Sequence, residues 1–339
     1  MRHFSAARLI GILVILLPVV ALLSLTVGTV SISWVEALSA VFGNSSSTQI
    51  DTILFDIRLP RILLAIFVGA VLASTGAVMQ GLFRNPLADP SLIGVSSGAS
   101  VGASIMIVTA GGAIQGGALV GLSLVSIGAF VGGFTATLLV YRLATSGLGT
   151  SVTTMLLAGI AIGALAGALN SLLSYFSDND MLRQISLWQM GNLSGASWLK
   201  VFIMGVVAVL LMSLFPRDSK ALNALLLGES EARHLGINVQ RVKRRLIVLT
   251  ALGVGVSVAV AGLVGFVGLI MPHIIRLMIG PDHRWLIPAS GLAGAVLLVI
   301  ADSLARVVVT PAELPTGILT AILGAPFFVV LLLQQRKDF

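Results

Sequence analysis

The chain has no cysteine among its 339 residues. That alone excludes disulfides, a thiolate nucleophile and cysteine-ligated zinc or iron–sulfur centres. Charge is nearly as scarce: 10% of the residues are Asp, Glu, Lys or Arg, against about 25% in a soluble domain. The ionisable residues that do occur avoid the middle of the long apolar runs. Ion- and proton-coupled carriers place such groups near the bilayer midplane, so an ion-coupled secondary transporter would lack its usual relay here. A membrane-embedded enzyme lacks a base paired with a nucleophile. His3, His234, His273 and His283 are scattered and are read as interfacial or loop histidines, so no metal ligand set and no catalytic residue is assigned. Nor does the chain contain a glycine-rich phosphate loop ending in Lys-Ser or Lys-Thr. It is expected to hydrolyse no nucleotide and to bind no cofactor itself.

What is abundant is apolar: 57% of the residues are hydrophobic and the mean hydropathy is +1.07. A helix needs about 20 apolar residues to cross the hydrocarbon core. The run Leu9–Val35 follows Arg2 and Arg8 as a signal peptide would. It is too long for a signal core and ends in no clear small-x-small cleavage pattern, so a retained first span is expected. Further spans are expected over Ile62–Phe83, twice within Pro90–Tyr141, near Ser151–Leu173, over Ser194–Pro216, over Trp285–Leu304 and over Leu314–Gln335. Within Pro90–Tyr141 the pairs Gly111-Gly112 and Gly116-Gly117 are the obvious turn.

Leu246–Gly280 is ambiguous, since it suits either two short spans or one long span with a half-helix. Basic residues at both ends of the chain ask for an even number of crossings, which points to about ten. With ten spans, Arg58, Arg61, Arg183, Lys200 and Arg306 are the only basic residues outside, of 20 in all. This asymmetry is the positive-inside rule. It puts both termini in the cytoplasm and explains the net charge of +7 without a nucleic-acid partner. The expectation is an all-α polytopic domain over residues 1–339 in the inner membrane. Gly159, Gly163 and Gly167, like Gly128, Gly132 and Gly133, mark helix faces where backbones approach closely; a glycine-lined pore is the alternative.

The longest hydrophilic stretch, residues 217–245, predicts two short helices, Ala221–Leu227 and Glu229–Leu235, joined at Gly228. Acids open the second helix; Arg233, His234 and Gly236 close it, which suits its dipole and its C-terminal cap. The pair forms either a lever for a cytoplasmic partner or a loop on the membrane surface. At the opposite side Arg58, Arg61 and Arg306 lie near span ends. Asp302 and Arg306 are spaced to pair on one helical face.

These residues resemble the permeases of the ATP-binding-cassette importers for iron–siderophore, haem and cobalamin. The resemblance rests on Leu227, Gly228, Glu229, Ala232, Leu235 and Gly236, on Arg58-Leu59-Pro60-Arg61, on Gly69, Gly76, Gln80 and Asn85-Pro86-Leu87-Ala88, and on Gly265–Leu269, Pro272-His273, Arg276, Asp302, Arg306, Glu313-Leu314-Pro315 and Gly324-Ala325-Pro326. It implies a type II importer permease fold of ten spans containing two inverted repeats. It also implies a homodimer with the pathway on its two-fold axis, two cytoplasmic ATPase subunits that use ATP and Mg, and a periplasmic binding protein. By the same resemblance, residues 217–245 hold the coupling loop. Arg58, Arg61 and Arg306 would pair with carboxylates of the binding protein, simple interfacial anchoring being the alternative. Asn170, Ser171, Ser174 and Tyr175, with the short helix expected over Met181–Gly191, would border the translocation path. The cargo is expected to be an iron chelate, haem or a ferric siderophore, with cobalamin as the alternative.

Overall fold

The computed structural model describes residues 5–30, 32–41, 47–110, 118–147 and 149–335. In chain order the elements are α1 (Ala6–Thr26), α2 (Trp34–Val41), α3 (Thr48–Asp51), which continues through a π-helical segment (Thr52–Arg58) into α4 (Leu59–Leu82), and a 3-10 turn (Pro90–Ile93). Then come α5 (Val95–Thr109), α6 (Ala118–Ala144), the strands β1 (Thr145–Ser146) and β2 (Gly149–Thr150), α7 (Val152–Tyr175), α8 (Asn179–Gln189) and α9 (Trp198–Leu214). A second 3-10 turn (Phe215–Asp218) leads to α10 (Ser219–Leu227), α11 (Glu229–His234), α12 (Val239–Ala261), α13 (Val267–Ile279), α14 (His283–Ala305) and α15 (Thr316–Gln335).

Among the described residues, 7 helices are long and apolar enough to cross a bilayer, and α5, α13 and α15 are shorter apolar helices. Together they match the ten expected. The turn expected at Gly111–Gly117 lies outside the described residues. The first span ends at Thr26, well short of Val35, and the chain then enters the separate helix α2. The ambiguous stretch Leu246–Gly280 is asymmetric. It holds the 23-residue α12, which starts early, at Val239, and the 13-residue α13. At 1.5 Å per residue, α13 is about 20 Å long and does not span the hydrocarbon core by itself. The break between them is built on two left-handed residues, Gly262 (φ 69°) and Phe266 (φ 66°). The break lets the end of α8 approach: a methyl group on Gly262 would sit 2.4 Å from the Trp188 carbonyl oxygen.

Lipid offers helices no hydrophobic reason to associate, so close backbone packing has to hold the bundle together. Two helix pairs do this with glycine. In α4 and α14, a methyl on Gly69 would sit 2.3 Å from Gly294 O, and one on Gly294 would sit 2.4 Å from Gly69 O. In α5 and α6, Gly98 faces Gly132 and Gly102 faces Gly128, with the corresponding methyl positions 2.3 and 2.0 Å from a carbonyl oxygen. Gly76 does the same for α13, at 1.8 Å from Gly268 O. The packing reading of the glycine faces therefore holds for Gly128 and Gly132. On α7 it holds for Gly159 but not for Gly167, which has nothing within 4 Å.

The bundle end that carries Arg58, Arg61 and Arg306 is termed outer and the opposite end inner, following the charge asymmetry of the sequence. At the inner end, β1 and β2 form a small antiparallel hairpin in which Thr145 pairs with Thr150. It is the one strand pair among the described residues and it delivers the chain to α7. Ser151 caps that helix, accepting from Thr154 N at 3.2 Å.

Candidate functional site

At the outer end, two regions far apart in sequence bring three arginines together. Arg58 closes the π-helical segment, Arg61 begins α4 and Arg306 follows α14. All three border one cavity of about 230 Å³. They are only 5%, 3% and 3% exposed, unlike anchoring side chains, which keep their charged heads in water. Buried charges need partners, and each arginine has them. Arg61 Nε donates to both oxygens of Asp302, at 3.0 and 2.9 Å, and its Nη1 donates to Glu313 Oε2 at 2.6 Å. Arg306 Nε lies 3.4 Å from Asp302 Oδ2, and Nη1 donates to Val27 O at 3.0 Å. Ser24 and Ser303 accept from its Nη2. The guanidinium of Arg58 donates to the Leu25 and Val30 carbonyls.

Asp302, the hub, also accepts from Thr316 Oγ1 at 2.9 Å. Three cations against two carboxylates leave the cluster one positive charge in excess. One donor has no partner among the described residues: the buried Nη2 of Arg61. An outer cavity with surplus positive charge and an unsatisfied guanidinium nitrogen is arranged to accept a carboxylate. The expected pairing of Asp302 with Arg306 exists, but Arg61 is the closer partner of Asp302.

At the inner end the two short helices are where the charge order put them. α10 is held by buried Leu222, Ala224 and Leu225, and α11 by Ala232 alone. Gly228 joins them with φ 137° and ψ 156°, a conformation open to glycine. A methyl there would also meet Glu231 Oε2 at 2.1 Å. Gly236 (φ 80°) ends α11, with its N–H donating to Arg233 O at 2.9 Å and Ile237 N–H donating to Ala232 O at 3.1 Å. The apolar tips stay uncovered, Leu227 at 70% and Leu235 at 65% exposed, in a hydrophilic segment where no lipid is expected to cover them. Leu227 and Leu235 thus form an exposed apolar pair on a charged hinge.

This module is fastened at two places. Asn223 of α10 accepts from His283 N at 2.9 Å and donates to Asp282 at 2.7 Å. That amide donation holds the Asp282 carboxyl below the usual carboxylate range. Glu229 of α11 meets Lys243 of α12 at 2.5 Å and, more loosely, Arg233 at 3.8 Å. The sequence pattern suggests an interfacial or loop position for His283. It is instead fully buried at the start of α14, its Nδ1 2.8 Å from Asn223 Oδ1.

The four residues assigned to the path lie on α7 and differ in burial. Asn170 turns inward and joins α7 to α5, donating to Ser100 Oγ at 3.0 Å and accepting from Ser104 Oγ at 2.7 Å. Ser171 is exposed and donates back to Gly167 O at 3.0 Å. Ser174 is half-buried and Tyr175 is 82% exposed. The short helix expected over Met181–Gly191 is α8, capped by Asp178, which accepts from Met181 N at 2.8 Å.

Sequence reasoning missed Ser24, Glu313 as an ion-pair partner, Asn223 and Lys243. Lys243 is one of several basic residues in a row and carries no local signal. A polar residue in an apolar run was the one available cue for Ser24.

Residues 15–334 match the profile of the FecCD transport family. The hemin transport system permease protein HmuU of Yersinia pestis is 44% identical over 330 residues, covering 97% of this chain and 96% of that one. The vitamin B12 import system permease protein BtuC of Citrobacter koseri is 43% identical over 296 residues, 87% of each chain. Among solved structures, a metal-chelate type ABC transporter in an inward-facing conformation superposes with a TM-score of 0.84 at 35% identity, covering 97% of this chain and 99% of that one. PsaBC of Streptococcus pneumoniae shares the fold at 19% identity, with a TM-score of 0.57.

Proposed function

The chain belongs to the FecCD transport family, and from that premise we propose that it is the membrane subunit of an ATP-driven importer that moves an iron chelate, haem or a ferric siderophore, from periplasm to cytoplasm. The observation that carries this reading is a pair of buried helices reaching both functional ends. α4 carries Arg61 at its outer end, and Arg84, just beyond its inner end, lies against Gly228. α14 ends outside at the Asp302–Arg306 cluster and begins inside at His283, bonded to Asn223 of α10. A carboxylate received outside and a partner gripped inside would thus act on the same two helices.

In this reading a binding protein places glutamates in the outer cavity, where Arg61 Nη2 awaits an acceptor and Arg58 and Arg306 supply the surrounding positive field. Leu227, Gly228, Glu229, Ala232, Leu235 and Gly236 engage one of two separate cytoplasmic ATPase subunits, which use ATP and Mg. This chain contributes no catalysis. Two copies face each other across the open side of α7, and Ser171, Ser174 and Tyr175 border a weakly polar route while Asn170 fixes α7 to α5. The membrane is the bacterial inner membrane and both termini are cytoplasmic. Haem is favoured by the likeness to the hemin permease over nearly the full chain; the vitamin B12 permease, at 43% identity, keeps cobalamin as the second reading.

The test is reconstitution in proteoliposomes with the ATPase and binding protein, offering radiolabelled hemin, a ferric siderophore and cobalamin with or without internal ATP. ATP-dependent accumulation of hemin or the siderophore is expected. Accumulation of cobalamin alone would reassign the cargo, and uptake following a proton or sodium gradient without ATP would overturn the importer.

A further inference from the structure

One buried cation is used by neither the outer cluster nor the hinge at Gly228. Lys243 lies in the second turn of α12 and is 2% exposed. Its ammonium has two acceptors on two different segments: Glu229 Oε1 of α11 at 2.5 Å and the backbone carbonyl of Thr150, the last residue of the hairpin, at 2.9 Å. One turn earlier on the same helix face, Gln240 Oε1 accepts from the Thr150 N–H at 2.9 Å. Both backbone groups of Thr150 are therefore held by α12 side chains, and the next residue, Ser151, is the cap of α7. Drawing Glu229 away from a buried ammonium would leave that charge uncompensated, so the two must travel together.

The receiving element is lightly held within the chain. Only 4 of the residues of α7 are buried, namely Met155, Ala158, Gly159 and Ala166. The other attachment of the lever, Asn223 to the start of α14, ends on a helix buried along most of its length and acts as a fixed point. Displacement of α11 thus has a stiff side at α14 and a compliant side at Thr150.

We infer that Lys243 is the positioning residue that relays motion of the α10–α11 lever to the β1–β2 hairpin and through it to the first turn of α7. The inference rests on the proposed coupling role of that lever. The two acceptors of Lys243 require a donor that reaches both at once. A hydrophobic replacement removes the link to each, whereas Gln240→Ala loosens Thr150 without disturbing the buried charge pair.

The experiment measures import per ATP hydrolysed, with radiolabelled hemin and cobalamin, in proteoliposomes holding the complete transporter, together with the Tm of the purified complex. Lys243→Met is expected to lower import per ATP by about tenfold while hydrolysis continues. Gln240→Ala is expected to lower it by about threefold with Tm unchanged. Gly228→Trp serves as the reference for the lever. If Gly228→Trp uncouples while Lys243→Met and Gln240→Ala keep the native ratio, the relay is wrong and the lever stands. Should Gly228→Trp keep the native ratio as well, the coupling reading itself falls. A Lys243→Met chain that fails to assemble, beside a Gln240→Ala chain with native coupling, would reduce Lys243 to a structural residue and overturn the relay. So would a parallel fall of import and hydrolysis in step with Tm.

Discussion

The helices α4 and α7 have the same length, 24 residues, and comparable apolar sequences, yet their surroundings are opposite. In α4, 19 residues are buried, including both charged and amide side chains at its two ends, Arg61 and Gln80. In α7 the count is 4. Hydropathy cannot tell them apart, because lipid and protein interior are equally apolar. What differs is which residues are small and what faces them. Gly69 and Gly76 of α4 touch the carbonyls of Gly294 and Gly268, whereas Gly167 of α7 meets nothing. One helix is the axis of the subunit, and the other presents its surface to whatever lies beyond the chain. A transporter needs both, a frame that keeps its two ends in register and an element able to be displaced against it.

The sharpest way to break this contrast is to give both helices the same bulk. Gly76→Leu would drive a side chain into the Gly268 backbone, which sits 1.8 Å from even a methyl position. Overpacking against backbone costs about 3 kcal/mol, so loss of monodisperse protein on size-exclusion chromatography in detergent is expected. Gly167→Leu, made in open space, should leave the yield and Tm of the subunit unchanged and act on transport alone. Equal losses from the two substitutions would remove the distinction.

Next in size is the charge hub at the outer end of the frame. Asp302→Asn leaves Arg61 and Arg306 buried beside a neutral amide. Breaking a buried pair costs about 3–5 kcal/mol, and a lowered Tm in detergent should report it. Glu313→Gln, at a side chain 35% exposed, should cost about 1 kcal/mol or less. A Tm for Asp302→Asn equal to that of Glu313→Gln would mean that Asp302 is not the hub.

Legibility in the sequence follows the range of the interaction. The α10–α11 helix pair was readable because its signals are local: apolar positions on one face, acids first and bases last, and glycine at each joint. The number of apolar helices was readable from composition and parity, although α13 is too short to cross unaided. The outer cluster was readable only as three separate arginines, because Arg61 and Asp302 lie 241 positions apart and nothing local announces their meeting. Lys243 was hidden for the opposite reason. It stands in the run Arg241-Val242-Lys243-Arg244-Arg245, where Arg241, Arg244 and Arg245 are exposed and it is the one buried cation. Helix phase separates them: Lys243 turns toward α11 and the hairpin.

A smaller effect tests how loosely α7 is attached. Asn170 is its main polar contact with α5, through Ser100 and Ser104. Interhelical hydrogen bonds in membrane proteins are worth about 0.6 kcal/mol, at most about 1.7. Asn170→Leu should therefore lower Tm only slightly, while raising hydrogen exchange along α7 relative to α4. A large drop in Tm would show that α7 belongs to the frame after all.

The smallest predicted effect concerns the inner end of the frame, where Asp282 caps α14 and receives the Asn223 amide. That donation lowers its pKa from the ordinary 3.8. A carboxyl whose folded pKa is depressed contributes stability that is fully present above its unfolded pKa and is lost as pH falls through the folded one. The attachment of α10 to α14 should thus hold at neutral pH and weaken below about pH 4. Trp285, in the first turn of α14, is a suitable reporter, and its emission should shift only as pH falls below about 4. Asp282→Asn keeps an acceptor for the Arg284 N–H but cannot titrate, so the shift should vanish in that variant. An identical shift in both chains would place the acid-sensitive group elsewhere. The fixed point against which α7 is supposed to move would then have to be sought away from Asn223.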